Sequence, residues 1–300
     1  MVVRRSIRRR GRFIRRQARL LPVVPSVLLI LLFLAAPVLW SFHASFTNAA
    51  LTGRNARNPA WTGLENYTRL LSDSVFPASV VLTIVFVAAS AVVGQNLLGL
   101  LIAGLMTRAR KSVSAVVGTA VVAAWVLPEI VAAFAAYAYF SKDGTLNQLL
   151  GNAGLAGADW LYAFPMVAVV LANIWRGTAF SMLVYRAALA DVPRDVSEAA
   201  LMDGAVGWQR LVFITLPLIR SSIATNLMLV TLQTLAVFTL IWVMTAGGPS
   251  NASTTLPVLA YQEAFKFGDI GYGTAIASVL IVLGLVFGIA YVRLLKGDKP

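Results

Sequence analysis

Hydrophobic positions in this chain fall into six long runs separated by polar, turn-rich or basic stretches. The runs cover about residues 21–46, 76–106, 113–140, 164–189, 218–245 and 270–295. Each is long enough for the roughly 20 residues that a helix needs to cross a bilayer. The breaks carry turn chemistry: Asn58-Pro59 and Trp61-Thr62-Gly63 in 47–75, Asp143-Gly144 and Gly151-Asn152 in 141–163, and Ala246-Gly247-Gly248-Pro249 ahead of 250–269. The short alternating segments of a membrane β-barrel, about 10 residues each, do not occur. The pattern predicts an all-α polytopic membrane protein with six transmembrane helices. Residues 1–19 form a separate Arg-rich arm and 20–300 a single membrane domain. The first run follows basic residues as a secretory signal would, but it is too long and lacks a small-residue cleavage site, so it reads as a retained span.

Composition agrees: 59% of residues are hydrophobic and 12% charged, and mean hydropathy is +0.79. That charged share is about half that of a soluble chain. A net charge of +13 invites a nucleic-acid reading, but its distribution points to membrane topology and anionic lipid instead. Nineteen Lys or Arg lie on one proposed side (the arm, 108–111, the 186–220 region and the tail), against five on the other, with Arg176 inside a run. That asymmetry predicts both termini in the cytoplasm. With no Cys and the single His43 near the outer end of the first run, neither disulfides nor a Cys- or His-based metal centre can be built. No Gly-x4-Gly-Lys-Ser/Thr phosphate loop is present, so ATP and Mg are expected on another chain and no cofactor on this one.

The most distinctive polar stretch, Glu198 to Pro217, reads EAALMDGAVGWQRLVFITLP. Asp191 and Pro193 stand where a helix starts, and Asp195 and Glu198 favour its positive end. Ala199 and Ala200 keep one surface small enough for another backbone to approach. Gly204, after Asp203, suits a left-handed cap, and a second amphipathic run, 206–213, follows. Pro217 is placed near the first turn of the next apolar helix, where its missing N–H costs least. The spacing Glu-Ala-Ala, three residues, Gly204, nine residues, Ile214, one residue, Leu216-Pro217 resembles the EAA loop of membrane-spanning subunits of binding-protein-dependent ABC importers. Residues 173–180 with 187–193 (NIWRGTAF…AALADVP) and 243–249 (VMTAGGP) are similar to the carbohydrate-uptake members, with Ala179 in place of an expected Pro and Ala246 in place of a Gly. The similarity runs from about Trp61 to the C-terminus.

The resemblance implies a six-helix permease with a cytoplasmic coupling helix, of the type I importer class, in a bacterial-type inner membrane. It implies four kinds of partner: a second homologous permease subunit, an ATPase dimer, an extracytoplasmic solute-binding protein and lipid. Nucleic acid is not among them. The solute would be a sugar or polyol, the alternative being a glycerophosphodiester or polyamine. Glu198, Ala199, Ala200, Asp203, Gly204, Ile214, Leu216 and Pro217 would couple to the ATPase. Within the runs, polar groups are costly and mark a solute path, inter-helix bonds, or both. Glu129 after Leu127-Pro128 either lines a path, pairs with Arg176, or is solvated at the outer interface. Asn173, Asn226 and Gln233 read as inter-helix hydrogen bonders or ligands, and Tyr137, Tyr139, Phe238 and Trp242 as packing aromatics or sugar-stacking ones. A stand-alone secondary transporter would want paired intramembrane carboxylates or an inverted repeat, and a membrane enzyme would want clustered acids, a Cys or more His; neither set is present.

Overall fold

The computed structural model describes residues 23–296; the Arg-rich arm, 1–19, lies outside the described residues. Among the described residues, four helices are long and apolar enough to cross a membrane: Val24–Ala44, Val75–Arg108, Pro165–Ala190 and Ile270–Arg293. Two bent pairs complete the six spans: Lys111–Val126 with Glu129–Asn152, turning by 106°, and Gly207–Leu218 with Arg220–Leu235, turning by 72°. The unbroken runs match their expected bounds within about three residues. Ala179, where a proline would kink the chain, sits inside the straight fourth span.

The third and fifth runs are not the continuous helices that hydropathy suggests. In the third, Leu127 takes the extended conformation that a following proline imposes (ψ 136°), and helix restarts at Glu129. In the fifth, helix stops at Leu235, and Ala236–Phe238 are non-helical before it resumes over Thr239–Thr245. Ala246 then takes φ 51°, a left-handed conformation that explains why glycine is the easier residue there.

The second and fourth spans form the closest seam. Gly99 and Gly177 allow it: a Cβ on Gly99 would stand 2.9 Å from the backbone N of Met182, and one on Gly177 would collide with the Gln95 side chain. Polar groups run along this seam and find one another. Asn173 donates to Ser90 Oγ (2.8 Å), and Gln95 donates to the Asn173 carbonyl (3.1 Å). Further along, Asn226 of the fifth span donates to Asn96 Oδ1 (2.8 Å) and Ser181 Oγ (2.9 Å), while the Tyr185 hydroxyl donates to Asn96. Asn173 and Asn226 are thus inter-helix hydrogen bonders, both buried.

One end of the bundle carries 108–111, 191–219 and Arg293; this basic end lies opposite the end formed by 47–74, 141–164 and 246–269. At the opposite end, Arg69 ties the first connection to the last. It pairs with Asp269 (2.6 Å), approaches Glu263 (3.7 Å) and lies over the Tyr272 ring. Tyr272 in turn donates to Asp73 (2.7 Å). Burial pushes the Glu263 carboxyl above the usual range, against the opposing pull of Arg69. His43 ends the first span at this end, against Trp61.

Candidate functional site

At the basic end, the chain leaves the fourth span at Asp191, which is that helix's C-cap rather than the start of the next. Asp191 N–H still bonds back to Ala187 O at 3.2 Å, so it closes the span. A nine-residue helix, Arg194–Met202, starts after Pro193, with Asp195 in its first turn near the positive end of the dipole. Gly204 takes φ 78°. The Ala205 N–H reaches Ala200 O (2.9 Å) and the Gly204 N–H reaches Leu201 O (3.1 Å), which together make a Schellman cap.

Among the side chains described on this helix, only Ala200 is buried. Its small side chain therefore fits the helix to its own chain, which corrects the expectation that both alanines face a partner. Ala199, Glu198, Leu201 and Met202 are exposed, Met202 at 88%. Glu198 makes no ion pair among the described residues.

The second leg, Gly207–Leu218, starts with the Val206 N–H held by Gln209 Oε1 (2.9 Å). It holds Ile214 and Leu216 half-buried and Pro217 exposed. Pro217 lies in the last turn of this leg rather than the first turn of the fifth span. Having no N–H to continue the ladder, it falls where the chain turns by 72° into Arg220–Leu235.

A second site lies inside the bundle, where the breaks of the third and fifth spans meet. The Leu240 N–H, orphaned at the start of Thr239–Thr245, donates to Glu129 Oε1 at 3.4 Å. Glu129 occupies the first turn of its own helix, whose dipole favours its charge. It is half-buried, and twelve residue steps, about 18 Å of helix, lead from it to the turn at Ser141. The helices from Glu129 and Thr239 run side by side, packing Ala133, Ala136 and Phe140 with Leu240, Ile241 and Met244.

Arg176 lies one turn beyond Ala172, which shares that core, and one turn before Phe180, whose ring meets Trp125 beside the first break. It is thus level with the junction, yet it forms no ion pair with Glu129, and its Nε is buried with no partner. Of the alternatives for Glu129, the pair with Arg176 is not formed, and the one bond its side chain makes is to the Leu240 N–H. Gln233 is exposed and its side chain makes no hydrogen bond among the described residues, which corrects the inter-helix role. Phe238 and Trp242 stack at 5.8 Å, and both rings meet Tyr261. Tyr137 and Tyr139 face outward.

The sequence reading missed Tyr261, Asn96, Ser181 and Tyr185. A spacing of four through Asn173, Gly177, Ser181 and Tyr185 was the available signal for one polar helix face.

Comparison with known proteins adds a family and relatives. Residues 95–297 match the model of the binding-protein-dependent transport system inner membrane component. The chain is 33% identical to the trehalose/maltose transport system permease protein MalF of Thermococcus litoralis, over 93% of this chain and 94% of that one. It is 31% identical to the trehalose transport system permease protein SugA of Mycobacterium tuberculosis, over 97% and 92%. It is 30% identical to the sulfoquinovosyl glycerol transport system permease protein SmoG of Agrobacterium fabrum, over 93% and 91%. In fold it is similar to a chain of a bacterial ABC transporter involved in alginate import, with a TM-score of 0.78, 20% identity and coverage of 97% and 100%.

Proposed function

This chain belongs to the family of binding-protein-dependent transport system inner membrane components, and from that premise we propose that it is one permease subunit of an ATP-driven importer of a sugar or related polyol. It forms half of the translocation path beside a second, homologous permease. A solute-binding protein delivers the solute to the end held by Arg69, which faces outward, and an ATPase pair sits beneath the basic end, in the cytoplasm. ATP and its Mg are bound by that pair and not by this chain. The observation that carries the coupling role is the Arg194–Met202 helix, exposed along Glu198, Ala199, Leu201 and Met202 and locked by its Gly204 cap. Glu198, Ala199 and the exposed Leu201 and Met202 meet the ATPase. Asp203 and Gly204 set the turn, and Ile214, Leu216 and Pro217 carry its motion to the bent start of the fifth span. Closure of the ATPase pair then moves this bundle relative to the second permease, with the seam as its rigid part, exposing the Glu129 junction to one side or the other. Glu129, Arg176, Gln233, Phe238 and Trp242 line the path, while Asn173 supports it from the seam.

The sugar assignment is supported by the relatives, which are named for trehalose, maltose and sulfoquinovosyl glycerol transport. One observation favours an acidic sugar derivative as a second reading: Arg176 Nε lies at the junction with no partner. ATP hydrolysis by the complete complex in lipid, with its binding protein, separates these readings across disaccharides, polyols and uronate oligosaccharides. Stimulation by a neutral disaccharide or a polyol supports the first reading and by a uronate the second; stimulation by none of them overturns the assignment. Coupling has its own test. Gly204→Val strains a left-handed position by roughly 1–3 kcal/mol. It should cut uptake about tenfold at normal membrane levels, the equivalent of about 1.4 kcal/mol of coupling. Normal uptake by that variant would remove the coupling role.

A further inference from the structure

The aromatic residues at the junction extend beyond it. Phe238 caps the restarted half of the fifth span, and Trp242 lies one turn into it. Tyr261 and Phe265 lie one turn apart on the helix Leu256–Tyr261 and the wide turn Gln262–Lys266 that continues it. Their rings form an unbroken series: Phe238 to Trp242 at 5.8 Å, Trp242 to Tyr261 at 4.8 Å, and Tyr261 to Phe265 at 5.4 Å, with Phe238 also 4.7 Å from Tyr261. The series begins at the break beside Glu129 and ends at Phe265, 58% exposed at the end facing outward. Resting on the sugar-importer reading above, we infer that these four rings form a stacking track along which pyranose rings pass from the outer end of the subunit to Glu129.

Two features separate a track from ordinary packing. Trp and Tyr enclosed in a bundle usually place their N–H and O–H on a protein partner. Here the Trp242 indole N–H and the Tyr261 hydroxyl have none among the described residues, and neither atom is buried. A lipid-facing role fits no better, since a free indole N–H and phenol in hydrocarbon cost several kcal/mol. An aqueous face fits both. A pyranose offers an apolar C–H face to the rings and hydroxyls to the free N–H and O–H. Glu129 Oε1 is held by Leu240, so its second oxygen waits at the inner end as an acceptor. Several shallow positions in series also suit transport, because a solute must bind well enough to enter and weakly enough to leave.

The test uses the full complex in liposomes with its binding protein, with trehalose and maltose as probes. The amount of ATPase that co-purifies controls for folding and assembly. Trp242→Leu and Phe265→Leu should each lower uptake about tenfold, which is about 1.4 kcal/mol. Phe265→Leu, at an exposed position, guards against a folding artefact at Trp242. Tyr261→Phe keeps the ring and should lose less than Tyr261→Leu. If the wild type moves a probe and the leucine variants move it equally well, the track is wrong while the importer reading stands. If the wild type moves neither probe nor any other sugar, the sugar reading falls and the track with it.

Discussion

The seam between the second and fourth spans and the junction of the broken third and fifth spans bury polar groups in the same bundle, and they satisfy them very differently. Along the seam, Ser90, Gln95, Asn96, Asn173, Ser181, Tyr185 and Asn226 bond to one another, leaving only Oδ1 of Asn226 without a partner. At the junction, Glu129 has one long bond, Arg176 Nε has none, and Trp242 and Tyr261 keep free polar atoms. A satisfied network rigidifies, whereas polar groups without protein partners are left open to water or a ligand. On the proposed function, the seam serves as scaffold and the junction as passage. The difference also shows that the number of polar residues in a span says little until their partners are known.

Three substitutions probe that division. The largest effect is expected from Gly99→Val, because its side chain would enter the Ser181–Met182 backbone. Overpacking of this kind costs on the order of 3 kcal/mol, and the thermal midpoint and yield of the extracted complex should both fall sharply. Next is Asn226→Ala, which removes donors to Asn96, Ser181 and Tyr185. At about 0.6 kcal/mol for each intramembrane bond, its cost should be roughly 2 kcal/mol, read as a lower thermal midpoint with solute selectivity unchanged. A stable Asn226→Ala protein with altered selectivity would move the seam into the path and erase the distinction. The smallest stability effect is expected from Glu129→Gln, which keeps an acceptor for the Leu240 N–H. Its midpoint should shift by less than about 1 kcal/mol equivalent, while uptake falls. Unchanged uptake would return Glu129 to a capping role alone.

Much of the architecture is legible in the chain because bilayer crossing constrains length and polarity so tightly. The Gly204 cap was readable too, since only glycine takes φ 78° cheaply. The break at Leu127-Pro128 was signalled by its proline, yet hydropathy continues across it and argues for one span. The break at 236–238 has no Pro or Gly to announce it. It is tolerated through a tertiary contact, Glu129 taking the orphaned Leu240 N–H, which local sequence does not encode. Ala200 and Gln233 failed for the complementary reason. Their types fit the assigned roles, but their orientation is set by packing against distant elements.

The wide turns at Val87–Gln95 in the second span have one more consequence. On the side nearer Arg69 the buried stripe advances by fours through Ser79, Thr83 and Val87, and it keeps that spacing through Ala91, Gln95, Gly99 and Ala103. An α-helix turns about 100° per residue, so a stripe of fours drifts by about 40° at each step. Wide turns hold more residues each and take part of that drift back midway along the span. Thr83 on one side of them meets the Leu256 N–H, and Asn96 on the other meets Tyr185 and Asn226. The span is a screw whose thread is let out at its middle, which keeps one face on its neighbours along its length.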